Sequence, residues 1–171
     1  DLITKHGGVI DNYIAVGSLK NGLFLSNSPN CKKKYDLCFV SHYSSLGYKS
    51  NVPSILRMFE IVNESLYKIN KISKKNSLSF VIAAVKQDIE YKDYTPSFNE
   101  EVDLLTNTGI LKEQIIPNEN IKYRTYETCF SSEITIGVCS TVLFELLGSG
   151  KKVLFFGAGD EIIKNKLMKG N

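Results

Sequence analysis

The sequence predicts an α/β domain: an open parallel sheet, doubly wound, with helices on both faces. Three observations point to it. Short runs that are apolar almost throughout recur at Tyr35-Asp36-Leu37-Cys38-Phe39-Val40, Ser79-Phe80-Val81-Ile82-Ala83-Ala84-Val85, Ile134-Thr135-Ile136-Gly137-Val138 and Val153-Leu154-Phe155-Phe156. Strands without a polar face belong to sheets covered on both sides. Helical patterns alternate with these runs, as they do where crossover helices join parallel strands. No internal repeat competes, so the expected architecture is Rossmann-like.

The chain has 171 residues, which is the size of one domain. A domain of this size buries about 68–70% of its unfolded surface and folds without a disulfide or metal. With 43% hydrophobic and 23% charged residues, the composition excludes a disordered chain, a collagen-like repeat and a coiled-coil rod. The longest apolar stretch, Ile134 to Leu147, contains Glu145 and falls short of the ~20 residues of a membrane-spanning helix. The opening Asp1-Leu2-Ile3-Thr4-Lys5 has no apolar core of a signal peptide. A net charge of +3, with 19 lysines to 2 arginines, argues against nucleic-acid binding, where arginine does the bidentate work. Lys32-Lys33-Lys34 could touch phosphate, but a solvated loop is the commoner reading of such a run. Cys31, Cys38, Cys129 and Cys139, with His6 and His42, give no zinc spacing, so no metal is expected. Buried free thiols, with Cys38 and Cys139 in strand-like runs, point to a reducing cytoplasm.

In order, Tyr13-Ile14-Ala15-Val16 reads as a short strand ending at Gly17-Ser18, and residues 20–34, rich in Asn, Ser, Lys, Gly and Pro, as a loop or linker. The strand from Tyr35 is followed by the polar Ser41-His42-Tyr43-Ser44-Ser45. Pro53 suits a first helical turn. Ile55, Phe59, Val62, Leu66, Ile69 and Ile72 then recur at spacings of three and four, a long amphipathic helix that Lys74-Lys75-Asn76 closes. Ser97-Phe98-Asn99-Glu100 is a capping box with Val102, Leu104 and Leu105 behind it, and Gly109 ends that helix. Ile121-Lys122-Tyr123 is the candidate for a third strand, and Tyr126 to Phe130 for a short helix. Thr141 to Leu147 reads as a helix that Gly148 and Gly150 stop.

Ligands of such sheets bind at the carboxyl ends of the strands, so the strand-end loops hold the candidates. The foremost is Gly137-Val138-Cys139-Ser140-Thr141, where a strand ends, two hydroxyls follow and a helix begins. Free N–H groups and hydroxyls at such a start can take an anion, although Ser140 could equally be a plain N-cap. Glu145 lies one turn on, at i+4 from Thr141, and could accept from a ribose diol. Its neighbours Leu143, Phe144, Leu146 and Leu147 make a carboxylate there one that needs a partner. After the first strand, Ser41, His42 and Ser44 offer polar groups, with His42 as a candidate base; after the second, Lys86 could neutralise a phosphate. Gly157-Ala158-Gly159-Asp160 lacks the third glycine of a dinucleotide fingerprint, since position 162 is Ile162. A Walker lysine loop and a G-x-S-x-G elbow are absent from the sequence, which removes the P-loop NTPase and α/β-hydrolase readings.

Ser132-Glu133-Ile134-Thr135-Ile136-Gly137, then Ser140-Thr141, then Glu145, then Gly150-Lys151-Lys152-Val153-Leu154-Phe155-Phe156 resembles the C-terminal half of GT-B glycosyltransferases. The likeness runs from Tyr126 to Phe156 in motif and over residues 35–156 in element order. It extends to lipid-linked N-acetylglucosaminyltransferases and non-hydrolysing sugar epimerases, and more closely to bacterial surface-polysaccharide transferases. The resemblance implies that residues 35–171 bind a CMP-, UDP- or GDP-linked sugar, with Ser140 and Thr141 on phosphate and Glu145 on ribose, and without an obligatory cofactor or metal. Residues 1–34 would be a hinge or linker with a short strand. A second, acceptor-binding domain or subunit would be missing, so that the chain is an excised or subunit half. The site would lie in the cytoplasm, at the inner face of the membrane and compatible with peripheral attachment. Polysialic-type transferases carry His-Pro after a strand lysine; Gln87-Asp88 stands here, which argues against CMP-sialic acid or CMP-Kdo. A sugar epimerase, a polyol-phosphate transferase domain and a non-catalytic Rossmann-like interaction module are the alternatives.

Overall fold

The computed structural model describes residues 18–27, 31–41, 53–86, 98–118, 123–138 and 140–156. The elements are α1 (Leu19–Asn27), β1 (Tyr35–Val40), α2 (Pro53–Lys75), β2 (Phe80–Lys86), α3 (Phe98–Asn107), a 3-10 turn (Lys112–Gln114), β3 (Ile115–Asn118), α4 (Arg124–Phe130), β4 (Ser132–Gly137), α5 (Thr141–Gly148) and β5 (Lys152–Phe155). Among the described residues the strands form one five-stranded sheet in the order β3-β2-β1-β4-β5, every neighbouring pair parallel. The fold is the doubly wound, Rossmann-like α/β arrangement that the alternating apolar runs predict.

Each strand feeds two cores because successive side chains point to opposite faces. Phe39, Phe80, Ile82, Ala84 and Ile136 pack with Val62 and Leu66 of α2 and Leu105 of α3. Cys38, Val40, Val81 and Ala83 pack on the other face with Phe24 of α1, Tyr126, Cys129 and Phe130 of α4, and Leu143 and Leu146 of α5. Cys38 and Cys129 are the buried thiols of this face; contact with Cys38 and burial push the Cys129 thiol well up.

Three expectations need correction. Residues 19–27 are helical rather than loop. Ser18 caps that helix, accepting from the Asn21 N–H at 3.2 Å, and Phe24 anchors it, fully buried against the rings of Tyr123, Tyr126 and Phe130. Burying one phenylalanine contributes up to about 3 kcal/mol, enough to outweigh the poor helix propensity of Asn, Ser and Gly. The third strand among the described residues is Ile115–Asn118; of the run expected at 121–123 only Tyr123 is described, and it sits in the left-handed region (φ 73°) at the start of α4. Pro117 is tolerated because β3 is an edge strand with one ladder to fill. Finally, the buried stripe of α2 leaves Ile72, which is exposed, and continues through Asn70 and Ser73. Their donors are engaged, Asn70 donating to the Gly109 carbonyl at 2.5 Å and Ser73 to that of Ile69 at 2.8 Å, while Asn70 Oδ1 has no partner among the described residues. The strand expected at residues 13–16, the capping residue Ser97, Cys139 and the 157–160 loop lie outside the described residues.

Candidate functional site

The strand order reverses between β1 and β4: β2 and β3 extend the sheet to one side of β1, β5 to the other side of β4. At such a reversal the connections leave in opposite directions and open a crevice at the carboxyl ends, where ligands of open α/β sheets bind. Phe39 pairs with Ile136, so the segments after Val40 and after Gly137 emerge at one level. Ser41 and Ser140-Thr141 are therefore the described candidates flanking the crevice. His42 and Ser44 lie outside the described residues, as does the side chain of Lys86 at the end of β2.

The turn from β4 into α5 depends on Gly137. A Cβ there would sit 2.8 Å from Cδ1 of Leu143, itself fully buried. The glycine lets the first turn of α5 close down on the strand. Ser140 is the N-cap residue by backbone conformation (φ −72°, ψ 138°), yet its hydroxyl makes no capping bond to the helix. Thr141 is exposed at the first helical position. The α5 N-terminus thus combines two hydroxyls with the positive end of the helix dipole.

Ser41 is buried. Its N–H donates to the Ala83 carbonyl at 3.0 Å, and its hydroxyl donates to a carboxylate oxygen of Glu101 in the first turn of α3. With that proton committed, Ser41 offers further ligands acceptor capacity only. Glu101 is fully buried and was not among the sequence candidates. The signal lay in the helical period: Glu101, Leu105 and Thr108 follow at i, i+4 and i+7 and all three are buried. A buried carboxylate beside a strand end is a feature of chemically active sites and of structural networks alike.

Glu145 turns toward α1 and α4. One carboxylate oxygen accepts from the Ser18 hydroxyl at 2.8 Å and the other from the Tyr126 hydroxyl. Asn21 reinforces the contact by donating to the Ser149 hydroxyl at 2.8 Å, which in turn donates to the Glu145 carbonyl at 2.9 Å. Burial, then the Glu145 hydrogen bond and its negative charge, push the Tyr126 hydroxyl well above the usual phenol range. The ammonium of Lys20 stands 5.4 Å from the Tyr126 ring centroid. The partner that an apolar helix demands for Glu145 is thus supplied from within the chain. Each carboxylate oxygen still has a second lone pair to offer.

Among the described residues no three His, Cys, Asp or Glu side chains group as a metal site, and no helix is long and apolar enough to cross a membrane. Comparison with protein-family models, curated proteins and solved structures returned no match for this chain.

Proposed function

We propose that this chain is the donor-binding domain of a GT-B-type glycosyltransferase, moving a sugar from a nucleotide donor to a surface polysaccharide or glycolipid acceptor. The observation that carries the reading is the strand order, which brings Ser41 and the Ser140-Thr141 turn to the two sides of one switch point. In this reading the hydroxyls of Ser140 and Thr141 and the α5 dipole stabilise the departing nucleoside phosphate, so no metal is required. Glu145 receives the ribose hydroxyls by its remaining lone pairs or by exchange with Ser18. The acceptor hydroxyl attacks the anomeric carbon, its bond to the nucleotide oxygen breaks, and the proton leaves to a base on an acceptor-binding domain or subunit. Cytoplasmic placement at the inner membrane face belongs to the same proposal.

A non-catalytic Rossmann-like module is the second reading, favoured by the engagement of both Glu145 oxygens within the chain. Calorimetric titration with CMP, CDP, UDP and GDP, without and then with magnesium, separates the two. The donor-domain reading expects saturable binding of one nucleotide, weakened by Ser140→Ala and Thr141→Ala, and by about 1–3 kcal/mol in Glu145→Gln. Folded protein that binds none of the four, or variants that bind as tightly as the parent, would refute it.

A further inference from the structure

A concavity lies at the amino end of the sheet, opposite the proposed nucleotide crevice. It opens where Lys34 and Tyr35 lead into β1, between the flank of α4 and the edge strand β3, and has a volume of about 230 Å³. That is below the roughly 300–1,000 Å³ of pockets for drug-sized ligands, so its occupant is small. Ile116 and Pro117 line it on the β3 side, Arg124 and Glu127 on the α4 side, and Lys34 at the opening of β1.

The charged groups on its wall are poorly matched. The ion pair between Arg124 and Glu127 spans 3.7 Å, well beyond the about 2.7–2.9 Å of a charge-assisted hydrogen bond. Arg124 Nε is buried and has no hydrogen-bond partner among the described residues. Buried donors left without partners are few in folded proteins, and each one counts against stability. The guanidinium has five N–H donors in a planar fork that matches an oxyanion. Lys34 lines the same cavity, is exposed and adds a second positive charge, so the lining carries two cations and one carboxylate.

We propose that this cavity binds a small molecule bearing one terminal oxyanion, gripped by Arg124 and Lys34, with its apolar body on Ile116 and Pro117. A modest rotation of the Arg124 side chain would bring the guanidinium fork onto the oxyanion and relieve the unpartnered donor. Glu127 opposes the ligand's charge, so affinity is set by two cations working against one anion. The site is independent of the proposed nucleotide crevice and stands or falls separately from it.

Phenyl phosphate and benzoate are suitable probes because both carry an oxyanion on a compact apolar ring. Their titration into the full chain, followed by backbone amide NMR, should give saturable shifts at Ile116, Arg124 and Thr128. The tighter probe shows whether phosphate or carboxylate is the preferred group. Arg124→Gln should weaken the better probe at least tenfold, Glu127→Gln should tighten it, and added salt should weaken it. The absence of saturable shifts with either probe, an unaffected Arg124→Gln variant, or a weakened Glu127→Gln variant would overturn the proposal. If Arg124→Gln does not fold, Lys34→Gln and Glu127→Gln decide it by their opposite signs.

Discussion

Replacing Glu145 by alanine tests whether its carboxylate holds the first helix to the sheet. The side chain accepts from two hydroxyls, and the two are not equally exposed. Tyr126 is 2% exposed, so without Glu145 its hydroxyl becomes a buried donor lacking its acceptor, which costs about 1–3 kcal/mol. Ser18 is half-buried and partly recovers water; its lost bond is worth about 0.5–1.5 kcal/mol. The sum is about 1.5–4.5 kcal/mol, or about 3–18 °C in Tm for a chain of this length. Glu145→Gln keeps one acceptor and should lose about 1 kcal/mol. Tyr126→Phe removes the donor together with its need, so adding it to Glu145→Ala should cost less than the two single effects combined. Urea denaturation of the four proteins gives the cycle. Hydrogen exchange should show the α1 amides opening faster in Glu145→Ala, because Ser18 is both the helix cap and the tethered group. A Glu145→Ala variant within about 0.5 kcal/mol of the parent, the usual range for an uninvolved surface change, would refute the tether.

Two further outcomes follow from the same geometry. Gly137→Ala places a methyl 2.8 Å from Leu143 Cδ1, so thermal unfolding should show a loss of about 1–3 kcal/mol from overpacking, while Gly148→Ala, with open space around it, should not destabilise. Asp36 clamps β1 to the start of β2, accepting from the Ser79 N–H at 2.9 Å and its hydroxyl at 2.8 Å; the Lys33 ammonium and these bonds hold its carboxyl down at about 2 rather than 3.8. The native state therefore binds fewer protons than the unfolded chain in this interval. The stabilisation is present above about pH 4, is lost as pH falls toward 2, and should disappear from acid-denaturation curves in Asp36→Asn.

The apolar runs determined most of the fold. Leu37-Cys38-Phe39-Val40 and Phe80-Val81-Ile82-Ala83 have no polar face, and a strand without one must be covered twice. Glycine and the hydroxyl pair marked the β4–α5 turn, and the apolar company of Glu145 showed that it needs a partner. These are local properties, readable from neighbours in sequence. The identity of that partner was not local. Ser18 lies 127 residues from Glu145, and helix α1 exists because Phe24 finds the aromatic pocket of α4. Glu101 meets Ser41 across 60 residues, and Arg124 and Lys34 share a wall only because β3 takes the edge of the sheet. Periodicity reports which side of an element is buried; only the packing of elements decides what that side touches, and with it which polar groups are satisfied and which are left to a ligand.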